Sequence, residues 1–273
     1  MTILQAVILG VVQGLTEFLP VSSSAHLVLV PYFLGWHIPA DQVFPFDVLV
    51  QVGTLMAVII YFRKDLYLIV KAMIASLFKG KPFEMGVNRL GWLLILASIP
   101  AGVAGLLLKD SVEKSFQSPL VTGLFLFGTA ILLVAAESFK RSDRDLEDIG
   151  TRDSIWIGIA QALSIFPGIS RSGATISGGM SRRIRRASSA RFSFLMAVPI
   201  MAAAGFLSVL DLLSLPDLQQ FIPVMAIGLI TSFVIGYLAI HWLLGYLKSH
   251  SLRPFAIYCF SLGVIAIILN YVL

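Results

Sequence analysis

The apolar run that opens the chain ends in residues a plain membrane helix does not carry. Between Gln13 and His26 (QGLTEFLPVSSSAH) a glutamine, a glutamate, three serines and a histidine surround Pro20. A second polar interruption, Gln161 to Thr175 (QALSIFPGISRSGAT), follows halfway down the chain. Polar and ionisable groups inside hydrophobic segments are costly, and those a chain keeps belong by default to functional sites. The expectation is that the two stretches meet and form one site. The medium follows from composition: 58% of the 273 residues are apolar and 13% charged, against about half and a quarter in soluble domains. This excludes an ordinary soluble fold and predicts an all-α integral membrane protein, one domain over 1–273. The single Cys259 excludes an internal disulfide and reads as a small buried apolar side chain. No cleaved signal peptide is expected at the N-terminus. The net charge of +5 reads as cytoplasmic Lys and Arg, so no nucleic-acid partner is expected.

Residues 1–19 are short for a span and stop at Pro20, and 22–35 makes a second short apolar helix. Half-length helices joined at a Pro and a serine cluster predict a broken, re-entrant hairpin. Spans are expected at 46–62, 90–108, 120–136, 187–213, 222–247 and 255–273, with an interfacial helix at 66–78, where Lys71 and Lys79 reach headgroups. Residues 155–166 and 170–180, split at Pro167-Gly168, form a second broken hairpin, and 140–153 is a surface loop. Lys and Arg number six in 63–89, four in 137–154, five in 182–191 and two in 248–254, against two in 109–118 and none in 211–222. The positive-inside rule places the first group in the cytoplasm and both termini outside. The first hairpin then enters from outside and the second from the cytoplasm. A shift of 148 residues lays Gly10, Gln13, Leu15, Phe18, Ser22 and Ser24 on Gly158, Gln161, Leu163, Phe166, Ser170 and Ser172, six identities in fifteen positions. This is the pattern of an inverted-topology repeat, about 1–140 and 150–273, with the site at the repeat interface.

Within the first stretch Gln13 and Glu17 are four apart and share a helix face, with Gly10 on the same stripe. Ser22 is placed to cap the next helix, and Ser22, Ser23 and His26 fall on one face of it. A carboxylate, hydroxyls and an imidazole are thus expected to converge. In the second stretch Arg171 stands beside the Pro-Gly break. Ser170 caps a helix whose first N–H groups, Ser170 to Gly173, face one way, and Thr175 is one turn on. A helix N-terminus with Arg, hydroxyls and Gly is an anion site, and phosphate fits it. The expected phosphate ligands are Ser22, Ser170, Arg171, Ser172, Gly173 and Thr175. Arg182 to Arg186 (RRIRR) reads as a topology anchor. Asp47 and Gln51 are weaker candidates to support the site. His37, His241 and His250 read as interfacial. No zinc spacing exists. A hard cation, Mg²⁺ or Ca²⁺, on Glu17 and Gln13 fits oxygen donors.

At these residues the sequence resembles the undecaprenyl-diphosphate phosphatase family of bacitracin-resistance proteins. Gln13-Gly-Leu-Thr-Glu17 matches the family's Glu-or-Gln, three residues, Glu pattern, which continues through Phe18-Leu-Pro-Val-Ser-Ser23 to His26. Pro167 to Thr175 matches its Pro-Gly-x-Ser-Arg-Ser-x-x-Thr box. Many members carry Glu where this chain has Gln13. The resemblance implies a multi-pass enzyme of the bacterial inner membrane that takes the terminal phosphate from a C55 prenyl diphosphate and recycles the carrier for peptidoglycan synthesis. The charge count would turn its site to the extracytoplasmic side, among membrane lipids, and a homodimer is left open. The catalytic set expected is Glu17, Ser23, His26 and Arg171. Attack by Ser23, attack by His26 and His26-activated water all remain open. The rival reading is a secondary transporter or flippase for an anion or lipid phosphate, which the repeat would serve equally.

Overall fold

The computed structural model describes residues 1–78, 86–139, 143–213 and 218–272. Lys79, part of the basic 63–89 segment, the start of the 140–153 loop and the middle of the 211–222 connection lie outside them. The described residues are helical with no strand: α1 (Ile3–Thr16), α2 (Ser23–Phe33), α3 (Ala40–Tyr61), α4 (Arg63–Phe78), α5 (Val87–Leu107), α6 (Lys109–Phe116), α7 (Pro119–Ser138), α8 (Thr151–Leu163), α9 (Arg171–Ser181), α10 (Arg186–Leu213), α11 (Leu218–Tyr246) and α12 (Arg253–Val272). Four of them, α5, α7, α11 and α12, are long and apolar enough to cross a membrane. A fifth crossing arises if α3 and α4, bent by 79° at their junction, count as one. The bend falls where Arg63, Lys64 and Asp65 end the apolar run, and it sets α4, which contains the 66–78 stretch, at a steep angle to α3. Tyr67, Leu68, Val70 and Ile74 on α4 are exposed. Sequence reading missed α6, an eight-residue helix in what looked like an outer loop.

Both broken hairpins form. Thr2 starts α1 with a capping box, its hydroxyl accepting from Gln5 N while Gln5 Oε1 takes Thr2 N–H. α1 packs on α2 and lies against α11; α8 packs on α9 and lies against α5. Glycine makes each approach possible. A Cβ on Gly10 would come within 2.9 Å of Gly228 O and Thr231 Cβ on α11, and one on Gly158 within 2.5 Å of Ala97 O on α5. α7 and α12 pack together beside the hairpins, and α3 and α10 cross on the other side. Phe18 of the first break and Phe192 and Phe194 of α10 are fully buried, Phe18 and Phe194 meeting edge to face at 5.4 Å.

The RRIRR run has a structural use beyond the charge count. Arg182, Arg183, Arg185 and Arg186 pair with Asp153, Asp143, Asp145 and Glu137, and Arg191 pairs with Asp65. Asp153 is the buried centre of this network. It accepts from Arg144 at 2.6 Å, from Arg182 at 2.8 Å and from Gly150 N at 3.0 Å. One carboxylate thereby joins the start of α8, the end of α9 and the preceding loop, which closes the foot of the second hairpin. Burial raises its pKa, but the bonds from Arg144, Arg182 and Gly150 outweigh burial and hold it at about 2, against 3.8 for a free side chain. Because the folded value is depressed, the stabilisation is complete above the free value and disappears as pH falls through the folded one. Asp153→Asn should therefore cost on the order of 2 kcal/mol at neutral pH, with the gap to wild type closing between about pH 4 and pH 2. Thermal melting in detergent against pH reads both. A gap independent of pH would mean that Asp153 acts through shape alone.

Candidate active site

The first break is a turn that Pro20 forces and Ser22 completes. Ser22 has φ 70° and ψ 97°, a left-handed conformation that costs a non-glycine residue about 1–3 kcal/mol. Three contacts hold it there. Its hydroxyl caps α2 at Ala25 N (3.4 Å), it accepts Gly168 N–H from the second break (3.2 Å), and its carbonyl accepts from His26 Nδ1 (2.7 Å). The next residue, Ser23, donates to Glu17 Oε2 at 2.6 Å. Gln13 Nε2 donates to the same oxygen at 3.0 Å and reaches Thr54 Oγ1 on α3 at 3.5 Å, while its own buried Oε1 has no partner.

The second break mirrors the first. Gly168 takes φ 106°, and a side chain there would strike Thr122 O and Phe125 Cβ. Thr129 on α7 holds the turn from both sides, donating to Gly168 O at 2.7 Å and accepting Ser170 N–H at 2.8 Å. Ser170 caps α9 at Gly173 N (3.0 Å), as Ser22 caps α2. The hydroxyl pairs Ser22–Ser24 (3.2 Å) and Ser170–Ser172 (3.1 Å) are the same contact at positions 148 apart. Ser172 Oγ donates across to Leu19 O at 3.0 Å. That bond and the one from Gly168 N to Ser22 stitch the breaks together. Arg171 completes the join: its NH2 donates to Glu17 Oε1 at 3.2 Å and its NH1 to Ser193 O on α10 at 3.3 Å. The Arg171 and Glu17 side chains are only 15% and 9% exposed, so the pair is well shielded from water.

A cavity of about 200 Å³ opens between the breaks. Glu17, Ser22, Ser23, Ser170 and Arg171 line it, as the sequence led one to expect, with Gln51 of α3. Ser24 and Ser164, which carried no expectation, also face it, and Phe116, Ile165, Ile169, Ile200 and Met201 give it an apolar wall. Other expected residues are placed differently. Thr175 is buried and bonds to Arg171 O and Ser193 Oγ, both at 2.7 Å. Ser172 and Gly173 are buried and used in the stitch and the cap. Ser170 N and Gly173 N are occupied, so the four amides of the α9 N-terminus do not form a free anion nest. His26 does not line the cavity: its Nε2 meets Tyr258 Oη of α12 at 2.7 Å. The expected meeting of carboxylate, hydroxyl and imidazole is therefore a meeting of carboxylate, hydroxyl and guanidinium. Asp47 does not line the cavity either. Thr54, Thr129, Ser193 and Tyr258 support the site from four different helices. Thr54, Thr129 and Tyr258 stand in largely apolar stretches and Ser193 just beyond a basic one, with no local pattern to single any of them out.

These features define a helical membrane protein whose polar centre sits where two broken helical hairpins meet. The chain belongs to the bacitracin resistance protein BacA family, which it matches over residues 6–265. It is similar to the undecaprenyl-diphosphatase of Chlorobium phaeovibrioides, 41% identical over 98% of this chain and 97% of that protein. The undecaprenyl-diphosphatase of Idiomarina loihiensis is also 41% identical, over 99% and 100%. That of Rubrobacter xylanophilus is 42% identical over 96% of each chain.

Proposed function

We propose that this chain hydrolyses undecaprenyl diphosphate to undecaprenyl phosphate and inorganic phosphate, recycling the lipid carrier for peptidoglycan synthesis and so conferring bacitracin resistance. The observation that carries the reading is the Ser23 hydroxyl, held 2.6 Å from the Glu17 carboxylate in a cavity that Arg171 also enters. A nucleophile bonded to a base beside a fixed cation is the arrangement phosphoryl transfer needs. Diphosphatase relatives across the full chain favour hydrolysis over transport.

The ligand-free geometry suggests how the site works. Glu17 occupies one side of the Arg171 guanidinium as a stand-in anion, the other side being held by Ser193 O. When the terminal phosphate arrives it takes the place of Glu17 there, with Ser170 and Ser24 as further donors. Glu17 is then free to accept the Ser23 proton as Oγ attacks the terminal phosphorus. The Oγ–P bond forms, the bridging P–O bond breaks, and undecaprenyl phosphate leaves with the bonding electron pair. Glu17 passes that proton to the departing undecaprenyl phosphate, takes one from the water that attacks the phosphoserine, and returns it to Ser23 Oγ as the Oγ–P bond breaks and inorganic phosphate departs. Phe116, Ile165, Ile169, Ile200 and Met201 face the start of the prenyl chain. The donor set also fits a hard divalent cation, since the unpartnered Gln13 Oε1 and the Glu17 carboxylate are oxygen ligands. Among the described residues no three His, Cys, Asp or Glu side chains cluster to hold a metal, so diphosphate and water would supply the rest of the shell. Bound Mg²⁺ or Ca²⁺ would neutralise charge on the diphosphate.

The wider architecture follows the same reading: six spans and two re-entrant hairpins in an inverted repeat, in the bacterial inner membrane, with the site open to the outside. Gly10 and Gly158, the Ser22 and Ser170 caps, and the two serine pairs support the repeat. Phe116, which lines the cavity from the 109–118 segment that the charge count assigns to the outside, supports the orientation. Purified protein in detergent should release phosphate from undecaprenyl diphosphate, and intact binding without release would overturn the reading. A membrane-impermeant thiol reagent should label Ser24→Cys in intact spheroplasts, against a background in which native Cys259 is buried. Labelling only after permeabilisation would reverse the orientation.

A further inference from the structure

His26 presents no free nitrogen to the cavity. Ser22 O is a carbonyl and only accepts, so His26 Nδ1 carries the hydrogen of their 2.7 Å bond. In the neutral imidazole Nε2 is then the acceptor, and Tyr258 Oη donates to it at 2.7 Å, the two ring planes lying parallel to within 2°. The next residue of α12, Cys259, lies with Sγ 3.7 Å from Pro20 O. α12 therefore grips the first break at two points, on either side of Ser22 and Ser23. α7 grips the second break in the same manner through Thr129. Each turn is held from outside its own hairpin, by a helix of the other half of the chain.

We propose that Tyr258 is a positioning residue of the reaction: through His26 it holds the Ser22 carbonyl in its left-handed turn, and so keeps the Ser23 hydroxyl against Glu17. His26 itself is the relay in this chain of contacts and takes no proton from the nucleophile. The inference rests on Ser23 being the attacking group. Tyr258 is suited to the task because its hydroxyl bonds His26 Nε2 while nearly half of its surface (46%) is exposed. Tyr258→Phe removes one oxygen from a partly exposed ring and leaves the helix packing in place.

The test is steady-state turnover of a prenyl diphosphate by purified variants whose melting in detergent matches wild type. Tyr258→Phe should lower kcat about tenfold and leave KM within about twofold, because misplacing a nucleophile affects the chemical step and not the binding of the headgroup. A merely structural residue would not separate the two constants. His26→Asn can still place an N–H near the Nδ1 position and bond Ser22 O, whereas His26→Gln reaches towards Tyr258 and leaves that carbonyl with only the backbone N–H of residue 26. His26→Asn should therefore retain about tenfold more kcat than His26→Gln, and Tyr258→Phe should cost nothing further in the His26→Asn background. Wild-type kcat in Tyr258→Phe, or greater activity in His26→Gln than in His26→Asn, overturns the proposal, the second outcome by showing that Nε2 does the work. Ser23→Ala measured alongside separates the two levels. Full activity there defeats the assignment of Ser23, whatever Tyr258→Phe does.

Discussion

Glu17→Gln should lower phosphate release from undecaprenyl diphosphate by about a thousandfold, within the range that loss of a positioned general base costs. Glutamine keeps the shape and can still meet Ser23, Gln13 and Arg171, but it cannot take the Ser23 proton or supply an anionic ligand to a cation. The variant also leaves the shielded Arg171 without its carboxylate, so melting in detergent must be measured beside activity. Gln13→Glu should be tolerated. Gln13 faces the same carboxylate at 3.0 Å, and a second acid there meets like-charge repulsion that a cation between the two would relieve. The double variant, Gln13→Glu with Glu17→Gln, should remain inactive, since Ser23 bonds to position 17 and not to 13. Full activity in the double variant would show that the carboxylate can stand at either position.

Arg171→Lys should lower kcat by about thirty- to a hundredfold although the charge is retained, in line with about 2–3 kcal/mol for loss of a transition-state donor. Arg171 uses two nitrogens at once, NH2 to Glu17 and NH1 to Ser193 O. Phosphate is expected to enter on the NH2 side while NH1 keeps the head oriented. A lysine ammonium is a point charge on a flexible stem and cannot hold both bonds in that plane. Near-normal turnover in Arg171→Lys would reduce Arg171 to a charge anchor and place the phosphate clamp elsewhere.

The meeting of the two interrupted stretches was legible in the sequence because polar groups in an apolar medium must find one another. The caps at Ser22 and Ser170 were legible because capping is a local rule. Glu17, Ser23 and Arg171 followed from the same two facts. The destinations of His26, Ser172 and Thr175 did not. Helical spacing says which residues share a face but not where that face points. His26 turns to α12, Ser172 to the carbonyl of Leu19, and Thr175 to Ser193 inside the bundle. Their partners Tyr258, Leu19 and Ser193 are set by packing between distant segments. The charge count saw an orientation signal in RRIRR and missed the ion pairs. The acids at 137, 143, 145 and 153 are a neighbouring segment of opposite sign, so charge complementarity between the two loops would have found them. The cavity's apolar wall, drawn from α6, α10 and the second break, had no signature in any one segment.

The central claim is that Ser23 forms a covalent bond to the terminal phosphorus where the two breaks meet. Wild-type protein mixed in stoichiometric amount with terminally radiolabelled undecaprenyl diphosphate, acid-quenched within one turnover and digested, tests it directly. The account predicts label on the peptide carrying Ser23, absent from Ser23→Ala and accumulating when phosphoserine hydrolysis is slowed. Phosphate released at the full rate with no label on the protein at any time would contradict it, and would pass the attack to water.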